Sequence, residues 1–152
     1  LGLPLIRNDK TVDPTDPSSP AVVQIETAMG SAIEVFEGAA TVAVERNRFV
    51  PVKTTNDLLV LRSDCYDLGD DAQLRLADGV RQIPFVDLDP RFYKLVAEFD
   101  ARFPEGVPSL RGAEQLVVHG DWTFGSGVQV VGPAVLGDQD GPASVEPGTT
   151  LG

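Results

Sequence analysis

The sequence predicts an α/β layer over residues 1–104 followed by a parallel β-helix over residues 105–152. Three observations carry that prediction. Val22, Ile25, Met29, Ala32, Ile33 and Phe36 recur at helical spacing and draw one apolar stripe of about four turns. A short apolar run containing a proline, Phe49-Val50-Pro51-Val52, delivers Lys53 to the start of a second, capped helix. From Leu110 onward the apolar residues fall into a period of six.

Composition limits the function classes. With 152 residues, 42% of them hydrophobic, the chain has enough apolar material for a core. No run approaches the roughly 18 apolar residues of a membrane helix, and no signal-peptide pattern is present. A net charge of −11 argues against nucleic acid or an anionic membrane as partner. Arg7, Lys10, Arg46, Arg48 and Lys53 nevertheless gather in the first third, as a basic pocket inside an acidic shell would require. The single cysteine, Cys65, has no internal disulfide partner, which points to a reducing cytoplasm. One Cys and one His cannot by themselves build a zinc site, so no metal ligand is assigned. Nothing demands a Ser–His–Asp arrangement through His119. Leu1 is not an initiator and Met29 is the only methionine, so the chain reads as a piece of something larger.

In order, Leu3-Pro4-Leu5-Ile6 is a short apolar run, and Arg7–Thr11 turns polar. Asp13–Pro20, with Pro14, Pro17 and Pro20, is a loop with Asx and Ser turn chemistry. The helical stripe follows. Gly30 inside it costs about 1 kcal/mol against Ala, which suggests close approach of a backbone or a ligand, and Gly38 ends it. Glu26 falls off the stripe and is read either as a ligand-facing carboxylate or as a solvated one. Ala40–Val44 is a short, buried-looking strand candidate, and Glu45–Arg48 is a polar turn.

Pro51 removes a backbone donor, so Phe49–Val52 is an edge strand or an extended arm. Thr54 and Asp57 have capping-box spacing, and the helix they open spans Thr55–Tyr66 with Leu58, Leu59, Leu61 and Cys65 packed. Lys53 therefore stands where free backbone N–H groups and the positive end of a helix dipole favour an anion. A solvated lysine is the plainer alternative; Lys10 and Lys94 are the only other lysines. Leu74-Arg75-Leu76 and Ile83–Leu88 are strand candidates, while Phe92, Val96, Phe99 and Phe103 share one helical face, read as packing.

The final third holds two series of six: Leu110, Leu116, Trp122, Val128, and Val118, Phe124, Val130, Leu136. Gly120 and Gly132 punctuate the turns. Coils that stack inward-facing side chains produce such a repeat, although an ordinary meander of period two shares some of the positions. Asp138–Ser144 is an irregular loop, and Val145–Leu151 resumes the spacing.

Three ordered stretches resemble one family. Phe49-Val-Pro-Val-Lys53-Thr-Thr-Asn-Asp-Leu-Leu is similar to the lysine motif of the UTP–glucose-1-phosphate uridylyltransferases, or UDP-glucose pyrophosphorylases. Val23-Gln-Ile-Glu-Thr-Ala-Met-Gly30 and Gly120-Asp-Trp-Thr-Phe-Gly125 resemble two further signatures. The resemblance covers about residues 4–66 and about 104–136, and implies the C-terminal portion of such an enzyme. It implies a partial Rossmann-like nucleotidyltransferase layer and a short left-handed parallel β-helix. It also implies that Lys53 is the catalytic contact to the nucleotide-sugar phosphates, that Phe49 lies near the sugar, and that Lys10 is a second lysine near the phosphates. Asp9 stands where the family commonly has proline, and the plain alternative for Lys10 is a loop lysine. The family's Gly-rich nucleotide loop has no counterpart here.

Under that resemblance the reaction joins UTP and glucose 1-phosphate into UDP-glucose and pyrophosphate. Mg²⁺ assists through ligands outside this chain. The partners are those four molecules and the N-terminal portion of the same enzyme, without which the piece is expected to be inactive. The alternative is a non-catalytic β-helical module that joins subunits into a homo-oligomer. A hexapeptide-repeat acyltransferase is a third reading, but it needs many coils and a catalytic histidine, and only His119 is present.

Overall fold

In the computed structural model, which describes residues 3–152, the chain is mixed α/β and divides into two compact units, Leu1–Val44 and Glu45–Gly152. The first unit is built on an antiparallel hairpin. β1 (Leu5–Thr11) pairs with β2 (Ala21–Thr27) in unbroken register from Leu5↔Thr27 to Thr11↔Ala21. The loop between them has the predicted turn chemistry. The Asp13 carboxylate accepts from the Thr15 N–H at 2.8 Å and Asp16 from the Ser18 N–H at 2.9 Å.

This hairpin corrects the predicted helix over 22–36. Only Met29–Glu34 is helical, as a 3₁₀ turn, and the side chain of Met29 lies outside the described residues. The β-branched Val22, Val23 and Ile25 favour a pleated strand once β1 supplies a ladder, and that pairing overrides the helical spacing. A side chain at Gly30 would meet no described atom within 4 Å, so the expected close approach is absent there. Gly38 does take a left-handed φ of +76°. Ala40–Val44 is not a strand: no described segment pairs with it, and Val42 is 88% exposed.

The second unit opens with a 3₁₀ turn at Arg46–Arg48 and an extended arm over 49–53. α1 (Thr55–Arg62) follows, burying Leu59 and Val60. It ends four residues before the predicted Tyr66: Ser63 leaves helical geometry with ψ −179°, and its hydroxyl donates to the Val60 carbonyl at 2.7 Å. β3 (Tyr66–Leu68) and β4 (Leu74–Leu76) form a small antiparallel pair. β5 (Phe85–Leu88) leads into α2 (Pro90–Tyr93) and α3 (Val96–Arg102). The expected single aromatic face is broken between these two helices. Val96 faces out, while Tyr93, Phe99 and Phe103 are buried.

Then come β6 (Ser109–Val118), β7 (Trp122–Phe124), β8 (Gln129–Leu136), β9 (Ala143–Val145) and β10 (Thr150–Leu151). They alternate between two parallel ladders. β10-β8-β6-β5 form one, and β7-β9 form the other. Val118 pairs with Leu136 eighteen residues later, three hexads along. Phe124 pairs with Val145 twenty-one residues later, the loop at 138–144 adding three.

Both hexad series point inward: Leu110, Leu116, Val118, Phe124, Val128 and Val130 are buried, with Trp122 and Leu136 packed against them. The Phe103 ring joins α3 to this interior, 5.0 Å from Phe124 and 4.7 Å from Phe99 by ring centroid. One core therefore runs from α1 through β9, so residues 45–104 and 105–152 share a single compact unit. The Cys65 thiol is wholly buried in that core, and burial pushes its ionisation up.

Candidate functional site

The arm before α1 holds two of the three singled-out residues. The Lys53 side chain is exposed, and no described carboxylate lies within ion-pair distance of it. Behind it the capping box forms as the spacing predicts. One Asp57 oxygen accepts from the backbone N–H groups of Lys53 and Thr54, both at 2.9 Å, and from the Thr54 hydroxyl at 3.1 Å. The N–H of Lys53 is the largest influence holding the Asp57 carboxyl below its ordinary range.

This refines the sequence reading of the helix start. Two backbone donors are already taken by a carboxylate of the same helix. What the arm itself offers an anion is therefore the Lys53 ammonium, its own N–H groups at 53 and 54 being occupied.

Phe49 is 58% exposed, and its ring lies 5.1 Å from the guanidinium carbon of Arg46. The Phe49 N–H donates to the Arg46 carbonyl at 3.1 Å, fixing the turn that brings the two together. Both line a cleft of about 470 Å³ between the arm, the start of α1 and β5, with Thr54, Asp57, Tyr66 and Phe85 among its walls. Asn56 ties α1 to β5, its side-chain Oδ1 accepting from the Leu88 N–H at 3.1 Å. Lys53 follows Phe49 by four residues but does not line this cleft.

Lys10 belongs to the other unit. It sits on β1 opposite Val22, so it is a strand residue and not the loop lysine of the plainer reading. With Pro14 and Gln24 it borders a groove of about 440 Å³. Glu26 is neither bare nor simply solvated. One of its oxygens accepts from Asn8 Nδ2 at 2.8 Å and the other from Gln24 Nε2 at 3.2 Å. His119 is exposed on a turn after β6.

Sequence reasoning missed Asp89. This buried carboxylate accepts from the N–H of Arg91 and the N–H of Gly120, and grips the Arg91 guanidinium. Arg91 in turn reaches Asp138 at 2.6 Å. The Arg91 contact, ahead of all others, holds the Asp89 carboxyl far below the usual range. Gly120 has φ +90°, and a Cβ there would stand 2.5 Å from an Asp138 oxygen. The group is structural: it fastens the turn between β6 and β7 to the start of α2. Asp89-Pro90 is a readable helix start, but nothing local indicates the partners at 120 and 138.

A family model described as UTP–glucose-1-phosphate uridylyltransferase matches residues 1–131. Among curated relatives, proteins of that name from Hordeum vulgare and Solanum tuberosum are 42% and 39% identical over 142 and 143 residues. Each match takes in 93% of this chain and 28% of the relative, so the chain spans less than a third of their length. A UDP-glucose phosphorylase structure from Trypanosoma brucei superposes with a TM-score of 0.85 at 42% identity, over 99% of this chain and 33% of that one. A mutant UDP-glucose pyrophosphorylase from Leishmania major, solved in complex with UDP-Glc, gives a TM-score of 0.80 at 44% identity, over 99% and 32%.

Proposed function

The chain belongs to the UTP–glucose-1-phosphate uridylyltransferase family, and from that premise we propose that it is the C-terminal portion of an enzyme making UDP-glucose and pyrophosphate. The observation that supports this most is the arm. Lys53, exposed and without an ion-pair partner among the described residues, stands beside a capped helix start, four residues after an exposed aromatic ring, in the motif that carries the resemblance. A phosphate oxygen of glucose 1-phosphate attacks the α-phosphorus of UTP, and the bond to pyrophosphate breaks. Negative charge spreads over the transferring group, and the Lys53 ammonium stabilises it. Phe49 borders the sugar, and Lys10 is a second phosphate-side cation.

The family implies Mg²⁺, which when bound neutralises phosphate charge. Among the described residues no three His, Cys, Asp or Glu side chains converge as a metal site. The residues present do not fit the ion, and we assign its ligands, with the nucleotide cradle, to the rest of the enzyme. By the same reasoning residues 1–104 complete the catalytic domain, and this piece alone lacks activity. We place the enzyme in the reducing cytoplasm, where an unpaired, buried Cys65 is ordinary; no helix among the described residues is long and apolar enough to cross a membrane.

Residues 105–152 are read as a left-handed β-helix. The pairing of Val118 with Leu136 supports it, since three hexads make one coil. A crystal structure in which the path from β6 through β7 to β8 turns right-handed would sink that reading. Open coil edges suit contacts between subunits, so the module is also proposed to join copies of the enzyme.

The test of the main reading is Lys53→Ala in the complete enzyme. Loss of about 3–4 kcal/mol of transition-state stabilisation lowers kcat roughly 100- to 1,000-fold, with the thermal melt unchanged because the side chain is exposed. Near-normal rates in both directions would overturn the assignment.

A further inference from the structure

Arg46 differs from Arg7, Arg62, Arg75, Arg91, Arg102 and Arg111, each of which reaches a carboxylate. Among the described residues Arg46 has no ion-pair partner, and none of its guanidinium N–H groups donates a hydrogen bond. Arg48 and Arg81 share that lack, but of the three only Arg46 lines the cleft beside Phe49. It is not adrift, however. Its guanidinium lies over the Phe49 ring, and both side chains line the same cleft. Among the described residues, the one carboxylate lining that cleft, Asp57, is committed to the N–H groups of Lys53 and Thr54. The uncommitted charge at the cleft is therefore positive.

Over the Phe49 ring, with no hydrogen bond or ion pair among the described residues, the Arg46 guanidinium keeps its N–H edge free. That edge is a planar fork matched to two oxygens of a phosphate. Holding the side chain on Phe49 beforehand reduces the ordering cost at binding. We propose that Arg46 binds the hexose-linked phosphate of the substrate, using Phe49 as its platform, so that one arm supplies two cations, Arg46 and Lys53. This rests on the uridylyltransferase reading and adds to it a residue and a division of labour. Lys53 serves the transferring phosphoryl group, whereas Arg46 grips the phosphate attached to the sugar.

The experiment uses the complete enzyme, assayed in both directions with glucose 1-phosphate, UDP-glucose and pyrophosphate as the varied substrates. Arg46→Ala is expected to raise KM for glucose 1-phosphate and UDP-glucose about tenfold. It should leave kcat within about threefold and KM for pyrophosphate within about twofold, because pyrophosphate carries no sugar-linked phosphate. Arg46→Lys should fall between Ala and wild type, since it restores the charge without the fork. Phe49→Leu should raise the same two KM values, and by less when Arg46 is already Ala, because the pair acts as a unit. An unchanged KM for glucose 1-phosphate, an equal rise for pyrophosphate, or a Lys variant no better than Ala would each overturn the proposal. A harmless Arg46→Ala beside a crippled Lys53→Ala removes only the Arg46 assignment. If Lys53→Ala is harmless too, the parent reading falls with it.

Discussion

The hairpin of the first unit and the stacked strands of residues 109–151 carry comparable apolar content, yet they treat it in opposite ways. On β1 and β2 nearly every side chain is open: Leu5 is 74% and Ile25 68% exposed. In the stacked strands Leu110, Leu116 and Phe124 are fully buried. A period in a sequence reports which residues share a face. It reports burial only when the same chain supplies the covering surface. Residues 110–136 are covered, because their parallel strands and the core side chains of α1, α2 and α3 enclose one shared interior. Residues 5–27 are not, so two candidate periods competed with no packing to decide between them.

Phe124→Ala is the largest expected effect and the most direct attempt to break the comparison. The ring is fully buried and stacks on Phe103, so truncation should open a cavity and cost about 3–5 kcal/mol. Denaturant melts of the 152-residue chain, with hydrogen exchange read by segment, check it. Protection should fall across 109–145 and stay unchanged in 5–27. Equal loss in the hairpin would mean that the two regions do not differ in self-sufficiency.

What was legible follows the same line. Local chemistry read well, because its partners lie within a few residues. The Thr54/Asp57 cap, the Asp13 and Asp16 turns and the extended Pro51 arm were all readable before any fold was known. The hexads were legible through repetition. The Ala40–Val44 strand was misread because a strand is a pairing, and no described segment pairs with it. Helix α1 was drawn four residues too long because nothing in Ser63-Asp64-Cys65 declares that Ser63 will fold its side chain back on Val60. At the candidate site, Lys53 and Phe49 were singled out through their motif, and the approach of Arg46 to the Phe49 ring was not. A cation three residues before an aromatic meets it only if the turn between them is tight, and a charge count does not reveal that.

Asp89→Asn sharpens the comparison at intermediate magnitude. It removes a buried charge that joins β5–α2 to the turn at Gly120, the sort of long-range tie for which the hairpin shows no equivalent. Because the partner Arg91 is more than half exposed, the expected cost is about 2 kcal/mol and not the full penalty of a buried pair. The sign with pH follows from the depressed carboxyl. Its stabilisation is fully present above the unfolded value of about 3.9 and is lost as pH falls through the lower folded value. The gap between wild type and Asp89→Asn in denaturant midpoint should thus be widest at pH 7 and narrow below about pH 4. A gap that stays constant down to pH 2 would assign the loss to shape and not to charge.

Ile25→Ser is the smallest expected effect, and it probes the other side of the comparison. On this chain the side chain is mostly in water, so removing it gives up little burial and should shift stability by less than about 0.5 kcal/mol. Ser also has a lower strand preference than Ile, which sets the direction as slightly destabilising. The relatives are more than three times as long as the matched segment, so the same substitution in a complete enzyme is the informative contrast. If the added sequence covers the face bearing Leu5, Val23 and Ile25, a buried isoleucine is being replaced by an unpaired hydroxyl, and the cost should rise to about 2–4 kcal/mol. Parallel melts of the chain and of the complete enzyme read that difference directly. Equal small costs in both would show that the hairpin is exposed by design, and that its apolar residues serve strand pairing alone.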